Sequence, residues 1–130
     1  MKKLLMACCM AIVFALLCCA PAKAAEHKVI TGSELETMMK DGAPLVIVDQ
    51  REPELYAKGH VPGAINIPYE DDTQKQKEIF KKLSTNDRIV FVCHGGPMGD
   101  EYGELLMKNG YKDVSNVKGG MRKWKGAVVK

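Results

Sequence analysis

The stretch Arg88-Ile89-Val90-Phe91-Val92-Cys93-His94-Gly95-Gly96-Pro97-Met98-Gly99 decides the architecture. Ile89 to Val92 are consecutive apolar residues, β-branched or aromatic, the pattern of a strand covered on both faces as in a parallel sheet. The run leads directly into Cys93 and then into a segment with glycine at 95, 96 and 99. Beyond it, Asp100 to Asn109 reads as a helix with Leu105 and Leu106 facing inward and Gly110 as its stop. Glycines let a short loop enter positive φ, so that successive amides converge on one centre as an anion-binding nest. The helix that follows adds the positive end of its dipole. A thiol at such a centre is favoured as thiolate, its nucleophilic form.

Outward from this segment the chain alternates strand and helix. Lys28-Val29-Ile30 reads as a strand, and Thr31-Gly32-Ser33-Glu34 as a capping box opening a helix with Leu35, Met38 and Met39 on its apolar face. Leu45-Val46-Ile47-Val48 is a second doubly buried strand, and Pro53 suits the first turn of a short helix reaching Lys58. Val61-Pro62-Gly63 is a turn, and Ala64 to Ile67 a short strand ended by Pro68. Asp72 to Leu83 is a lysine-rich surface helix with Ile79, Phe80 and Leu83 as its apolar stripe, its charges a solvated face. Val114 to Val117 and Met121 to Lys125, around Trp124, supply a last strand and helix. This order predicts an α/β domain: an open, mostly parallel sheet with helices on both faces and its site at the carboxyl ends of the strands. No repeat, low-complexity tract or linker divides residues 25–130, so they form one domain.

Residues 1–24 are of another kind. Lys2 and Lys3 precede an uncharged apolar run from Leu4 to Ala20, and Ala22 and Ala24 give the small-x-small spacing of a cleavage site. This is the order of a secretory signal peptide, cut after Ala24. It predicts an exported, periplasmic protein whose only relation to the membrane is through that segment. An uncleaved anchor fits less well because of the cleavage signal. So does a lipid-attached form, because Cys18 follows Leu17 and Cys19 follows Cys18 where a small residue is wanted. The formal net charge of +3 comes from Lys2, Lys3 and Lys23, so the mature chain is balanced and carries no basic field for nucleic acid. Cys8, Cys9, Cys18 and Cys19 leave with the signal as well. Cys93 is then the only thiol of an exported chain, with no partner for an internal disulfide.

The segment around Cys93 resembles the active-site loop of the rhodanese family, in which a cysteine heads a short loop and carries a persulfide. The resemblance extends over the mature chain. Asp49-Gln50-Arg51-Glu52-Pro53-Glu54-Leu55-Tyr56 and Gly59-His60-Val61-Pro62-Gly63-Ala64-Ile65-Asn66-Ile67-Pro68 are similar to the family's upstream signature. Asn109-Gly110-Tyr111 and Val117-Lys118-Gly119-Gly120-Met121, with Trp124, are similar to its ending. The resemblance implies a single-domain sulfurtransferase. A donor such as thiosulfate or a persulfide leaves a sulfane sulfur on Cys93, and a thiol or cyanide removes it, by covalent catalysis in two displacements. It implies Cys93 as nucleophile, the amides of Gly95, Gly96 and Gly99 as contacts to the persulfide and its anion, and no metal or organic cofactor. Partners are then a small sulfur donor and a thiol acceptor, or a protein in either role.

Two positions depart from the family pattern. Many members place an arginine five residues after the cysteine, where this chain has Met98, and Pro97 removes an amide donor. Both changes predict weak affinity for thiosulfate and a preference for a persulfide or protein donor. Arg51 is a minor candidate to supply the missing charge; the simpler reading is an ion pair with Asp49 that braces the loops. His94 reads either as an acid or base beside the sulfur or, more simply, as a solvent-facing loop residue. His60 reads as a structural hydrogen-bonding residue. Cys93, His94 and His60 lack the number and spacing of a zinc site.

Other chemistries fit less well. A cysteine phosphatase or arsenate reductase wants arginine six residues after the cysteine, where this chain has Gly99; the next arginine is Arg122. A thioredoxin-type oxidoreductase needs a second cysteine near the first. The remaining alternative is a relay or protein-binding module that passes sulfur without turnover, with Met98 serving a protein contact.

Overall fold

The computed structural model describes residues 26–130; the expected signal segment, with Cys18 and Cys19, lies outside them. Ten elements alternate along the described residues. They are β1 (Lys28–Ile30), α1 (Gly32–Lys40), β2 (Val46–Asp49), α2 (Pro53–Lys58), β3 (Ile65–Asn66), α3 (Thr73–Phe80), β4 (Arg88–Val92), α4 (Pro97–Lys108), β5 (Asp113–Val117) and α5 (Gly120–Lys123). The strands form one sheet in the order β1-β5-β4-β2-β3, and every pairing is parallel.

The central strand shows why the apolar run at 89–92 carries the fold. Ile89 and Phe91 point to one face of the sheet and Val90 and Val92 to the other, and all four are buried. The first face packs Val48, Leu83, Tyr102, Leu106 and Tyr111, under α3 and α4. The second packs Leu35, Ile47, Val61, Ala64 and Val117, with Met38, Tyr56, Met121 and Trp124 at its margin, under α1, α2 and α5. This is the expected α/β architecture with helices on both faces. Full burial of each such side chain contributes about 1.5–3 kcal/mol. Tyr102 anchors the first face, edge-on to Phe80 and Phe91 at 5.0 and 5.8 Å between ring centroids. Its hydroxyl donates to the Glu70 carbonyl at 3.1 Å.

Local signals set the element ends. In α1, Glu34 N–H donates to Thr31 Oγ1 at 3.1 Å while the Glu34 carboxylate accepts from Thr31 N–H at 2.6 Å, the capping box read from sequence. Helix α3 stops at Phe80 rather than at Leu83. The Tyr111 hydroxyl meets the carbonyls of Phe80 and Leu83, at 2.6 and 3.0 Å, and holds the chain in a turn there. Helix α4 begins at Pro97, three residues before the expected Asp100. Proline at the first helical position lacks only an N–H that the helix would not use, and its φ is already helical. The loop between β4 and α4 is therefore just residues 93–96.

Candidate active site

Strands β1, β2, β4 and β5 all deliver their carboxyl ends to one edge of the sheet, and Cys93 leaves the central one. Cys93 is a free thiol with 1% of its surface exposed. The amide of Gly96 donates to its Sγ at 2.9 Å, closing the four-residue loop around the sulfur. Gly96 reaches this position with φ at +122°, a conformation that L side chains rarely adopt.

The loop is braced from three sides. From β5, Asn116 Nδ2 donates to the Gly96 carbonyl at 2.8 Å and to Asp100 Oδ1 at 3.0 Å. Asp100 also accepts from His27 Nε2 at 2.9 Å, so the segment before β1 is tied to the same network. From the end of β2, Gln50 N–H donates to the Val92 carbonyl at 2.8 Å and its Nε2 to the Met98 carbonyl at 3.3 Å. From α5, Met121 N–H donates to the Cys93 carbonyl at 2.8 Å and Arg122 N–H to the His94 carbonyl at 3.0 Å. That last approach requires glycine at 120: a Cβ there would run into the Cys93 carbonyl oxygen, and φ is +52°. Together these contacts hold the Cys93 backbone to the sheet and to helix α5.

The other predicted site residues take distinct places. Gly95 is part of the loop. Met98 and Gly99 belong to the first turn of α4, because the helix starts at Pro97. Gly99 N–H donates to the Gly96 carbonyl at 3.1 Å and is spent there rather than on an anion. Gly99 is also a packing position, since a Cβ on it would collide with Asn116 Oδ1. His94 Nε2 donates to the Glu52 carboxylate at 2.8 Å, so the imidazole is paired rather than free in solvent. Glu52 is exposed, and its carboxyl is held below the usual range, first by a backbone N–H and next by His94.

Asp49 and Arg51 form a buried, forked pair. Arg51 Nε lies 3.1 Å from Asp49 Oδ1 and Nη2 lies 2.8 Å from Oδ2, while Nη2 also donates to the Gly59 carbonyl at 2.8 Å. None of the Arg51 donors bonds to the Cys93 loop among the described residues. His60 stacks on Tyr56 at 3.7 Å and donates from Nδ1 to the Tyr56 carbonyl at 2.8 Å. Its backbone exchanges hydrogen bonds with Val129, which pins the end of the chain. No cluster of three or more possible metal ligands occurs among the described residues. Nor is any described helix long and apolar enough to cross a membrane.

Sequence reading missed Asn116, Asp100, Gln50 and Glu52. A signal existed for Asn116, a polar residue between Val114 and Val117 of the strand read at 114–117, where burial demands a partner. For the others, contact with the loop arises only from the fold.

The same architecture recurs in known proteins. The family model of the rhodanese-like domain matches residues 31–127, and the chain belongs to that family. It is 39% identical over 82 residues to the putative sulfur carrier protein YrkF of Bacillus subtilis, covering 63% of this chain and 42% of that protein. It is 32% identical over 89 residues to the thiosulfate:glutathione sulfurtransferase of Saccharomyces cerevisiae, covering 62% of this chain and 64% of that protein. The chain thus spans less than two thirds of the length of these relatives. Among solved structures, the rhodanese-like domain protein of Staphylococcus aureus superposes with a TM-score of 0.67 at 33% identity, over 79% of this chain and 98% of that one. These similarities place the chain in a family with sulfurtransferase members.

Proposed function

We propose that this chain is an exported sulfurtransferase that carries a sulfane sulfur on Cys93. The observation that supports it is the Gly96 amide aimed at Cys93 Sγ from 2.9 Å at the carboxyl end of the central strand. In the first step the Cys93 thiolate attacks the outer sulfur of a donor. With thiosulfate, the new bond is Cys93 S–S, the bond broken is the donor S–S bond, and sulfite departs with the bonding pair. In the second step a thiolate or cyanide attacks the outer sulfur, and Cys93 leaves as thiolate. The acceptor takes the sulfur as a persulfide or as thiocyanate. No electrons leave the system, and no cofactor is called on. The Gly96 N–H faces the Cys93 thiolate before the first displacement and again as it leaves in the second, which is the role of an oxyanion-hole donor.

The loop itself offers no cation. Met98 is apolar, Pro97 has no amide hydrogen, and the Gly99 amide is spent on Gly96. This supports a persulfide or polysulfide as the better donor and thiosulfate as a poor one. Steady-state kinetics with cyanide as acceptor test both points. Parallel double-reciprocal lines, with a lower KM for polysulfide than for thiosulfate, are expected. Intersecting lines would exclude a persulfide carrier, and ordinary thiosulfate affinity would remove the donor preference. If sulfur passes in a single round to a protein acceptor but never turns over with small molecules, the domain is a relay.

Export rests on residues 1–24 alone. Expression in a bacterium with a periplasm, followed by an intact mass of the periplasmic fraction, tests it. The expected product begins at Ala25; a full-length or lipid-modified product would overturn this.

A further inference from the structure

The loop lacks a cation, but the last helix brings one to it. A Cβ on Gly95 would lie 3.4 Å from Arg122 Nη1 and 3.8 Å from its Cζ, so the guanidinium rests on the face of the loop that Gly95 leaves bare. The backbone of Arg122 is fixed to the same loop through the His94 carbonyl, so its side chain starts from a fixed point beside the loop. Arg122 also lines a groove of about 550 Å³ at the carboxyl ends of β1 and β5. Lys118, Lys123 and Lys125 line it too, with Thr31 and Glu36 of the α1 side opposite. Glu36 faces Lys40 at 3.3 Å, and none of the four cations of the groove has an ion-pair partner among the described residues.

Four unpaired like charges on one concave surface raise the local concentration of anions and repel one another until an anion arrives. The groove has the volume of a site for an organic small molecule, far more than an inorganic dianion fills. We infer that this groove binds the carboxylate-bearing body of a small thiol or persulfide, with Arg122 as the contact nearest the Cys93 loop. The inference rests on the sulfurtransferase reading above and names the recognition site for its organic substrate. It also gives Met98 a rationale: charge recognition sits on α5, beside the loop, and suits a larger anion than thiosulfate.

Binding is tested separately from turnover. The probe is S-methylglutathione, which has two carboxylates and no thiol, titrated into the ¹⁵N-labelled Cys93→Ser protein. Saturable shifts at the amides of Lys118, Arg122 and Lys123, lost on raising the salt, are expected. Arg122→Gln should weaken binding about tenfold, the loss of one charge-assisted contact, and Arg122→Lys should recover part of it. In turnover of the Cys93 protein, the loss caused by Arg122→Gln should be about tenfold greater with glutathione than with the uncharged 2-mercaptoethanol. Shifts centred elsewhere, no saturation, or equal affinity for inorganic sulfate would each overturn the inference. Binding at the groove without sulfur transfer to any thiol would leave the groove standing and remove the sulfurtransferase reading instead.

Discussion

The amide of Gly96 donates to Cys93 Sγ at 2.9 Å, and the carbonyl of the same glycine is held by Asn116 Nδ2 at 2.8 Å. One peptide segment thus links the Cys93 sulfur to a buried side chain of the neighbouring strand. Asn116 acts as a positioning residue whose Oδ1 occupies the space a side chain on Gly99 would need.

Asn116→Ala should remove one of three donors to the Gly96 carbonyl, which keeps the Gly99 and Asp100 amides, and a donor to the Asp100 carboxylate, at a cost of about 1–3 kcal/mol. Gly99→Ala should cost a similar amount by overpacking, about 1–3 kcal/mol. Because both changes act at one contact, the double variant should be less destabilised than the sum, by about 1 kcal/mol. Urea denaturation of the four proteins checks this. Strict additivity would show that the two residues are not coupled.

The Asp49–Arg51 pair predicts a large and asymmetric penalty. Both groups are buried, so Arg51→Ala leaves an uncompensated carboxylate and should cost about 3–5 kcal/mol. That is a large share of the roughly 5–15 kcal/mol that a domain has in total. Arg51→Lys should not restore the loss, because a lysine cannot reproduce the forked contact. A penalty under about 1 kcal/mol for Arg51→Ala would contradict the bracing role, since that is the range of a solvent-exposed pair.

Glu52 predicts a pH signature at the mouth of the site. A backbone N–H first, and His94 second, hold its carboxyl below the ordinary glutamate value of 4.5. A lowered folded value means that its contribution is present above the ordinary glutamate range and is lost only as pH falls through the lowered value. The side-chain carboxyl resonance of Glu52 should therefore titrate with a midpoint below 4.5. His94→Ala should raise that midpoint without restoring it fully, because the backbone donor remains. A midpoint at or above 4.5 in the unmodified protein would show that neither donor holds the carboxylate in solution.

Most of the architecture is legible in the chain because the doubly buried strands leave no amphipathic ambiguity. Ile89 to Val92 and the run ending at Val48 read as strands from their composition, and Pro53 and the Thr31–Glu34 box mark helix starts by local chemistry. The start of α4 is harder. Glycine at 95, 96 and 99 reads as one long loop, whereas Pro97 at the first helical position ends it at Gly96, and Gly99 serves close packing on Asn116. Cys93 stands out as the single cysteine among the described residues, but its surroundings do not. Asn116 and Arg122 reach the loop from β5 and α5, 20 or more residues along the chain, because the α4 crossover brings β5 back parallel beside β4. Arg122 fails a test of spacing from the cysteine and is nonetheless the cation beside the loop.

The most direct test of sulfur carriage by Cys93 is an intact mass of the protein after exposure to polysulfide, and separately to thiosulfate, then again after cyanide. A gain of one sulfur atom, about 32 Da, is expected, greater with polysulfide, removed by cyanide as thiocyanate and absent in Cys93→Ser. No gain from either donor, or a gain that survives Cys93→Ser, would contradict it.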